Sequence, residues 1–527
     1  MSTRLPDFKT LPEALGHWAR HKPNKILFRF EGRDTDYATF ERHANRVANA
    51  LAEAGVGHGD RVAYLGKNTD WFFEIFHGAA KIGAVTVPVN WRLAGPEIVY
   101  ILNDSRAKVL FVGPEFLSQA EAVEGDLTTV ERIVAVEGGS ERWPAYAQWR
   151  DAHSDAAPAV ALKPDDVAIQ LYTSGTTGRP KGAMLKHGNF FGVFFAGRDT
   201  MPEWNRWSDD DIALIAMPVF HIAGAGYGAV VVINGVTGII ARDFDPNAVL
   251  DFIERDRISK LFLVPAAIQF VVRHPRARQV DYSRIKYMFY GASPIPLDLL
   301  REAMDVFGCG FVQMYGMTET TGTIVALPPE DHDPKGNKRM RSAGKPLPGV
   351  EIAILDAEGN RLPPDTVGEI AARSAANMAG YWNLPEASAR TMGADGWLRT
   401  GDAGYLDEDG YLYIHDRVKD MIVSGGENVY PAEVENAMFG HPDVADVAVV
   451  GVPDEKWGEA VKAFVVLKPG RELDEAGLQA WTRARIAAYK APKSIDVIEA
   501  LPRNPSGKIL RRELREPFWE GRERRVN

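Results

Sequence analysis

Tyr172-Thr173-Ser174-Gly175-Thr176-Thr177-Gly178-Arg179-Pro180-Lys181-Gly182 follows a predicted strand over 167–173 and precedes helical sequence at His187. Gly175, Gly178 and Gly182 let backbone N–H groups approach an anion closely, and the hydroxyls add donors. Lys181 and Arg179 supply charge. A triphosphate calls for all three devices, because its charge is dense and strongly hydrated. A Walker A loop would end in Gly-Lys-Ser/Thr. Here Pro180 precedes Lys181 and Gly182 follows it, so this is a different phosphate cradle. A glycine-rich surface turn is the bland reading, and the density of Ser, Thr, Gly and Lys argues against it.

Outward from that loop, short apolar, β-rich runs alternate with amphipathic helical patterns. Phe40, Ala44, Val47, Leu51 and Ala52 recur at helical spacing before the strand-like run 61–65. Further strands are predicted over 109–112, 132–136, 212–217, 261–264, 287–290 and 311–315. Several are continuous apolar runs, as expected of strands covered on both faces. The implied fold class is α/β, with a large N-terminal domain of mainly parallel sheets and helices. After Leu347 strands and turns alternate, which predicts a small β-rich subdomain. A third texture begins near Arg417, with a helix over 431–438, strands over 447–452 and 462–467, and a helix around 478–488. That predicts a small α+β C-terminal domain. Residues 152–165 read as a connector, and the tail from Arg511 as a solvated helix end.

With 527 residues, two or more domains are expected. The net charge of −10 argues against nucleic acid as a partner. Cys309 is the single cysteine, which excludes an intramolecular disulfide and a cysteine-based zinc site, and fits a reducing cytoplasm. Residues 222–241 carry no charge and are long enough to span a bilayer. The Asn234-Gly235 pair in their middle predicts a buried helix, a turn and a buried strand instead.

Gln313-Met314-Tyr315-Gly316-Met317-Thr318-Glu319 follows another predicted strand. A carboxylate beside a phosphate site makes sense when Mg²⁺ lies between the two. Together with the loop at 172–182, this segment resembles the adenylate-forming superfamily: acyl-CoA synthetases, peptide-synthetase adenylation domains and firefly-type luciferases. The resemblance covers nearly the whole chain, in the family's order. It implies an N-terminal AMP-binding domain over 1–416 and a mobile C-terminal domain over 417–527.

The resemblance also implies roles for particular residues. Thr173, Ser174, Gly175, Thr176, Thr177, Gly178 and Lys181 would cradle phosphates. Glu319 would hold the metal, Thr318 would contact phosphate, and Tyr315, Gly316 and Met317 would lie along the nucleotide. Tyr290-Gly291-Ala292-Ser293 resembles the adenine-binding segment, with Gly291, Ala292 and Ser293 against the purine. Asp402, in Trp397-Leu398-Arg399-Thr400-Gly401-Asp402, would accept from both ribose hydroxyls, as a carboxylate suits a vicinal diol. Arg417 would also bond the ribose, Lys419 would be the hinge, and Ser424, Gly425 and Gly426 would line a coenzyme A tunnel. Lys508, in Pro505-Ser506-Gly507-Lys508, matches the catalytic lysine. His221 would sit near the substrate carboxylate. Ile222, Gly224, Val264 and Thr320 would belong to an acyl pocket built from 222–241, 265–270 and 320–324.

Peptide-synthetase relatives carry an acidic residue near the pocket mouth, where this chain has Ile222. An amino-acid ammonium would be left unpaired there, so an apolar acid fits better. The activity implied is ATP-dependent conversion of a medium- or long-chain fatty acid to its acyl-adenylate, then to its coenzyme A thioester, with ATP, Mg²⁺ and coenzyme A required. Aryl or alicyclic acids, transfer to a carrier protein, and luciferase-like oxygenation are the alternatives. Peripheral membrane contact and a homodimer are both compatible with the sequence.

Overall fold

The computed structural model describes residues 5–138, 140–173, 180–197, 199–417, 420–424, 427–454, 456–503 and 508–520. Its N-terminal part carries two large sheets. One has seven strands in the order Gly380–Tyr381, Lys181–Lys186, Val167–Thr173, Val85–Val89, Arg61–Leu65, Ala107–Val112, Arg132–Ala135. The last five run parallel and the first two antiparallel. The other has nine strands, with a parallel middle running from Gly310–Met317 to Ile26–Phe30 and antiparallel edges. Val85–Val89 is buried at every position, which is why its sequence, Val-Thr-Val-Pro-Val, carries no charged residue on either face.

Helices fill the space between and around the sheets. Tyr37–Glu53 is capped by Asp36, whose carboxylate accepts from the Thr39 amide at 2.7 Å. It packs on Asp70–Lys81 so closely that a Cβ on Gly78 would lie 2.6 Å from Val47. The uncharged stretch 222–241 folds as expected. Helix Ile222–Asn234 ends at Gly235 in the left-handed conformation (φ 65°), and strand Thr237–Ile240 follows, wholly buried.

The β-rich subdomain is an antiparallel sheet of Glu351–Leu355, Gly368–Arg373, Leu398–Leu406 and Leu412–Arg417. A further sheet, with Ile422–Ser424, Glu427–Val429, Val444–Asp454, Gly458–Leu467 and Ser494–Val497, carries helix Pro431–Phe439.

Three local expectations are corrected. The loop at 172–182 does not run straight toward a helix: Lys181–Lys186 is a strand paired antiparallel with Val167–Thr173, and helix Asn189–Ala196 comes only after it. A strand rather than a helix N-terminus thus follows the loop, and Lys181 at its start brings positive charge. The C-terminal helix expected around 478–488 is Glu475–Arg483, because Asp474 caps it three residues early, accepting from the Gly477 amide at 2.9 Å. The tail is not merely solvated. Helix Arg511–Trp519 is tied down by Arg511 on Glu435 (2.7 Å) and by the Trp519 indole on the Gly451 carbonyl (2.9 Å).

Candidate active site

The carboxyl ends of strands Gly310–Met317 and Val167–Thr173 meet where the two large sheets adjoin. The first strand runs into a single 3-10 turn, Thr318–Thr320, that carries Glu319. Thr320 builds this turn: its Oγ1 accepts from the Met317 amide (3.0 Å) and donates to the Gly322 carbonyl (2.7 Å). Thr321 takes the left-handed conformation (φ 51°) and donates to the Ala376 carbonyl at 2.7 Å. Gly316 lies against this return, and a Cβ there would be 1.8 Å from the Gly322 carbonyl oxygen. No other residue fits.

Glu319 is buried, and its Oε1 accepts from the Tyr381 hydroxyl at 2.7 Å and from Thr173 Oγ1 at 3.3 Å. Lys181 pairs with Thr173 across the hairpin and places Nζ 5.0 Å from the Tyr381 ring centre. A carboxylate, a phenol, a hydroxyl and an ammonium thus converge at the two ends of the phosphate-loop hairpin. The donor set fits Mg²⁺: one hard carboxylate with hydroxyl oxygens beside it suits an ion that takes its remaining ligands from phosphates and water.

Tyr315, two turns of the pleat earlier, donates its hydroxyl to Asp402 Oδ2 at 2.8 Å. Asp402 is buried on strand Leu398–Leu406 and stands opposite Arg417 in the neighbouring strand. An aromatic face and a carboxylate that already accepts a hydroxyl lie together, as a nucleoside requires. Gly291 closes strand Tyr287–Gly291, where a Cβ would meet the Met314 carbonyl oxygen at 2.0 Å. Ala292 follows with φ 67°, a strained conformation for a residue with a side chain.

Lys508 lines a cleft between the C-terminal part and the large domain, with Ser293, Pro265 and Gln269 opposite it. An antiparallel bridge between Arg503 and Ile509 fixes this segment, and Arg503 is anchored on Asp446 at 2.7 Å.

His221 caps helix Ile222–Asn234, and burial pushes its pKa down to about 4, with nearby Arg92 adding to the effect. The ring is neutral near pH 7. Its Nε2 is covered and has no hydrogen-bond partner among the described residues. Ile222 is partly exposed, whereas Gly224 is buried, where a Cβ would lie 2.3 Å from the Pro218 carbonyl oxygen. Val264 is packed in an apolar cluster with Met217 and Tyr290. Gly224 is thus fixed by close packing, Val264 by its apolar cluster and Thr320 by the turn it forms.

Ser174, Gly175, Thr176, Thr177, Gly178, Lys419, Gly425 and Gly426, with the side chain of Arg417, lie outside the described residues. Ser424 is buried and pairs with Gly458. Tyr381 escaped the sequence reading. The strand that carries it is two residues long, and nothing in Gly380-Tyr381-Trp382 announces its pairing with Lys181–Lys186.

The AMP-binding enzyme family matches residues 15–382, and the AMP-binding enzyme C-terminal domain matches residues 433–508. The chain belongs to the AMP-binding enzymes. Among relatives of this AMP-binding enzyme is the fatty acid–[acyl-carrier-protein] ligase ScoC of Streptomyces coeruleorubidus, 44% identical over 523 residues, 99% of each chain. A feruloyl-CoA synthase of Amycolatopsis sp is 40% identical over 511 residues, 96% of this chain and 99% of the relative. The crystal structure of the anthranilate CoA ligase AuaEII in complex with anthranoyl-AMP superposes with a TM-score of 0.89 at 28% identity, over 98% and 99% of the two chains. This AMP-binding enzyme is a ligase that uses ATP to couple a carboxylic acid to a thiol. Among the described residues, no helix is long and apolar enough to cross a membrane.

Proposed function

We propose that this AMP-binding enzyme forms the coenzyme A thioester of an apolar carboxylic acid, a medium- or long-chain fatty acid in the first instance, through its acyl-adenylate. The observation that carries the reading is the junction of Glu319, Tyr381, Thr173 and Lys181 at the phosphate-loop hairpin, with Tyr315 and Asp402 alongside. Such an array suits a nucleoside triphosphate, and the uncharged wall from Ile222 suits an acyl group without charge.

In the first half-reaction a carboxylate oxygen attacks the α-phosphorus of ATP, and the bond to pyrophosphate breaks. Both reactants are anionic, so the barrier is largely electrostatic. Lys508 would bridge the carboxylate and the α-phosphate, and Lys181 would face the departing pyrophosphate. Glu319 would hold Mg²⁺, which when bound offsets phosphate charge. Neutral His221 would donate a hydrogen bond to the acid from Nε2. Asp402 and Arg417 would fix the ribose.

In the second half-reaction the thiol sulfur attacks the acyl carbon and AMP leaves. Lys508 must then withdraw, and rotation about Lys419 would bring Ser424, Gly425 and Gly426 to the thiol arm. The boundary fits this. Leu412–Arg417 belongs to the four-stranded sheet, whereas Ile422–Ser424 belongs to the next one. Aryl acids are the second acyl class, favoured by the Trp207 and Tyr227 rings, whose centres lie 6.2 Å apart beside the Ile222 helix.

The test is pyrophosphate release from purified enzyme, ATP and Mg²⁺, across acids of graded chain length, aromatic acids and amino acids. Each is followed by free coenzyme A or a phosphopantetheinyl carrier protein. Release with apolar acids and thioester formation with coenzyme A support the proposal. Thioester formation with the carrier alone would overturn the acceptor, and no release with any acid would overturn the chemistry.

A further inference from the structure

The segment that carries Lys508 is tied on both sides to one strand, Val444–Asp454. On the leading side, Arg503 Nη2 donates to Asp446 Oδ2 at 2.7 Å. On the trailing side, Arg511 forks onto Glu435. Its Nη2 donates to Oε2 at 2.7 Å, and its Nε donates to Oε1 at 3.2 Å. Glu435 Oε1 also accepts from the Val449 amide at 2.8 Å, so one carboxylate joins helix Pro431–Phe439, the strand and Arg511. The two sides are held to each other by the Leu510 amide on the Pro502 carbonyl (2.8 Å) and by the Arg503–Ile509 bridge. Between them Ile509 packs on the apolar cluster that includes Ala448 and Val450, which share a strand face with Asp446.

Arg503, Lys508 and Arg511 line the same cleft, with Glu435 and Asp446 beside them and Ser293 opposite. Three cations on so short a segment repel one another, and each guanidinium is matched by its own carboxylate. The Arg511 and Glu435 side chains keep only 12% and 14% of their surface exposed. An open surface pair would contribute little, whereas a nearly enclosed planar fork sets direction as well as distance. It fixes the backbone three residues beyond Lys508. A lysine stem is flexible, so the point from which it starts decides where its ammonium can rest. The far end of the same helix, Arg511–Trp519, has a different tie, from the Trp519 indole to the Gly451 carbonyl at 2.9 Å.

We propose that Arg511 and Glu435 are positioning residues for Lys508, their fork setting the backbone from which the lysine reaches across the cleft. The pair acts through Lys508, so it serves acyl-adenylate formation and not the attack of the thiol. The inference rests on the acid-ligase reading, in which Lys508 serves the first half-reaction, and extends it to two residues behind the lysine. A reacting group displaced by about 1 Å loses up to about 100-fold in rate.

The experiment measures the two half-reactions separately on the full chain. The first is pyrophosphate release with ATP, Mg²⁺ and an apolar acid. The second is thioester formation from supplied acyl-AMP, with coenzyme A or a phosphopantetheinyl carrier protein as acceptor. The variants are Glu435→Gln, Arg511→Met, Arg511→Lys and Trp519→Phe, each with its melting temperature. Glu435→Gln and Arg511→Met should lower kcat of the first half-reaction by about 10- to 100-fold. KM for ATP and for the acid, and the rate of the second half-reaction, should stay near wild type. Arg511→Lys keeps the charge without the fork and should fall between Arg511→Met and wild type. It also decides the question should a harsher variant fail to fold. Trp519→Phe should lower the melting temperature without favouring either half-reaction.

Equal loss in both half-reactions would make the fork a general support of the fold and overturn the proposal. A first half-reaction near the wild-type rate would overturn it too, as would the same selective loss in Trp519→Phe. A raised KM for ATP with kcat unchanged would place Arg511 on the nucleotide instead, and overturn it. Each of those results leaves the ligase reading standing, because the wild type still releases pyrophosphate. Absence of release by the wild type with every acid is the distinct result that removes both.

Discussion

The hydroxyl of Tyr381 donates to Glu319 Oε1 at 2.7 Å, joining the shortest strand of one large sheet to the turn that leaves the other. Through this contact the protein orients Oε1, which also accepts from Thr173 at the start of the phosphate-loop hairpin. A hydrogen bond to a charged acceptor contributes about 1.5–3 kcal/mol. Tyr381→Phe should therefore slow pyrophosphate release by roughly 10- to 100-fold. It should also raise the Mg²⁺ concentration needed for half-maximal rate, measured by titrating the metal at saturating ATP. An unchanged metal dependence would remove Tyr381 from the site.

Lys508 sits on a separate part of the chain and reaches the cleft from across it. Lys508→Ala should abolish acyl-adenylate formation yet leave thioester formation from supplied acyl-AMP largely intact. Stopped assays of the two half-reactions decide this, and equal loss in both would contradict a lysine that serves one step only.

Stability rests partly on a buried carboxylate far from the chemistry. Glu74 accepts from His43 Nδ1 (2.7 Å), Arg150 Nη1 (2.7 Å) and the Tyr146 hydroxyl (2.9 Å). Burial alone would raise its pKa, but the bonds from His43 and Arg150 hold it below the usual value. Glu74→Ala would leave Arg150 with Asp151 as its ion-pair partner and the buried Tyr146 hydroxyl without its acceptor, and should cost about 1–3 kcal/mol, read as a lower midpoint in urea. The distances around Glu319 should not change.

Acid sensitivity follows from two histidines that fold without a proton. Burial pushes His77 down to about 3 and His187 down to about 4, and neither ring has a full set of partners among the described residues. Below the unfolded pKa of 6.5 the unfolded chain takes up protons that the folded chain refuses. The stability present above that pH is lost progressively down to the folded values. Each histidine should remove about 2 kcal/mol by pH 5. Urea midpoints at pH 7 and pH 5 measure the loss, and His77→Leu should reduce it.

Much of this was legible before any coordinates. Continuous apolar runs such as 109–112 and 261–264 read as strands covered on both faces, and Asn234-Gly235 as a break in the span. The roles proposed for Glu319, Asp402 and Lys508 come from motif context. What the letters hid was pairing at a distance. Lys181–Lys186 reads as a lead into a helix until Val167–Thr173 is seen alongside it. Tyr381 acquires a role only because a two-residue strand adds to that hairpin. The docking of Arg511 on Glu435 depends on a fold contact across 76 positions, so a tail rich in Arg and Glu looked like a solvated one.

In the proposed reaction the acid's own oxygen becomes bonded to the α-phosphorus of ATP at the Glu319 junction. Incubation of the enzyme with ATP, Mg²⁺, coenzyme A and an apolar acid labelled with ¹⁸O in its carboxylate, followed by mass spectrometry, tests this directly. One labelled oxygen should appear in AMP, because the acyl C–O bond breaks in the second step, and pyrophosphate should carry none. Label found in inorganic phosphate, or AMP released without it, would contradict the account.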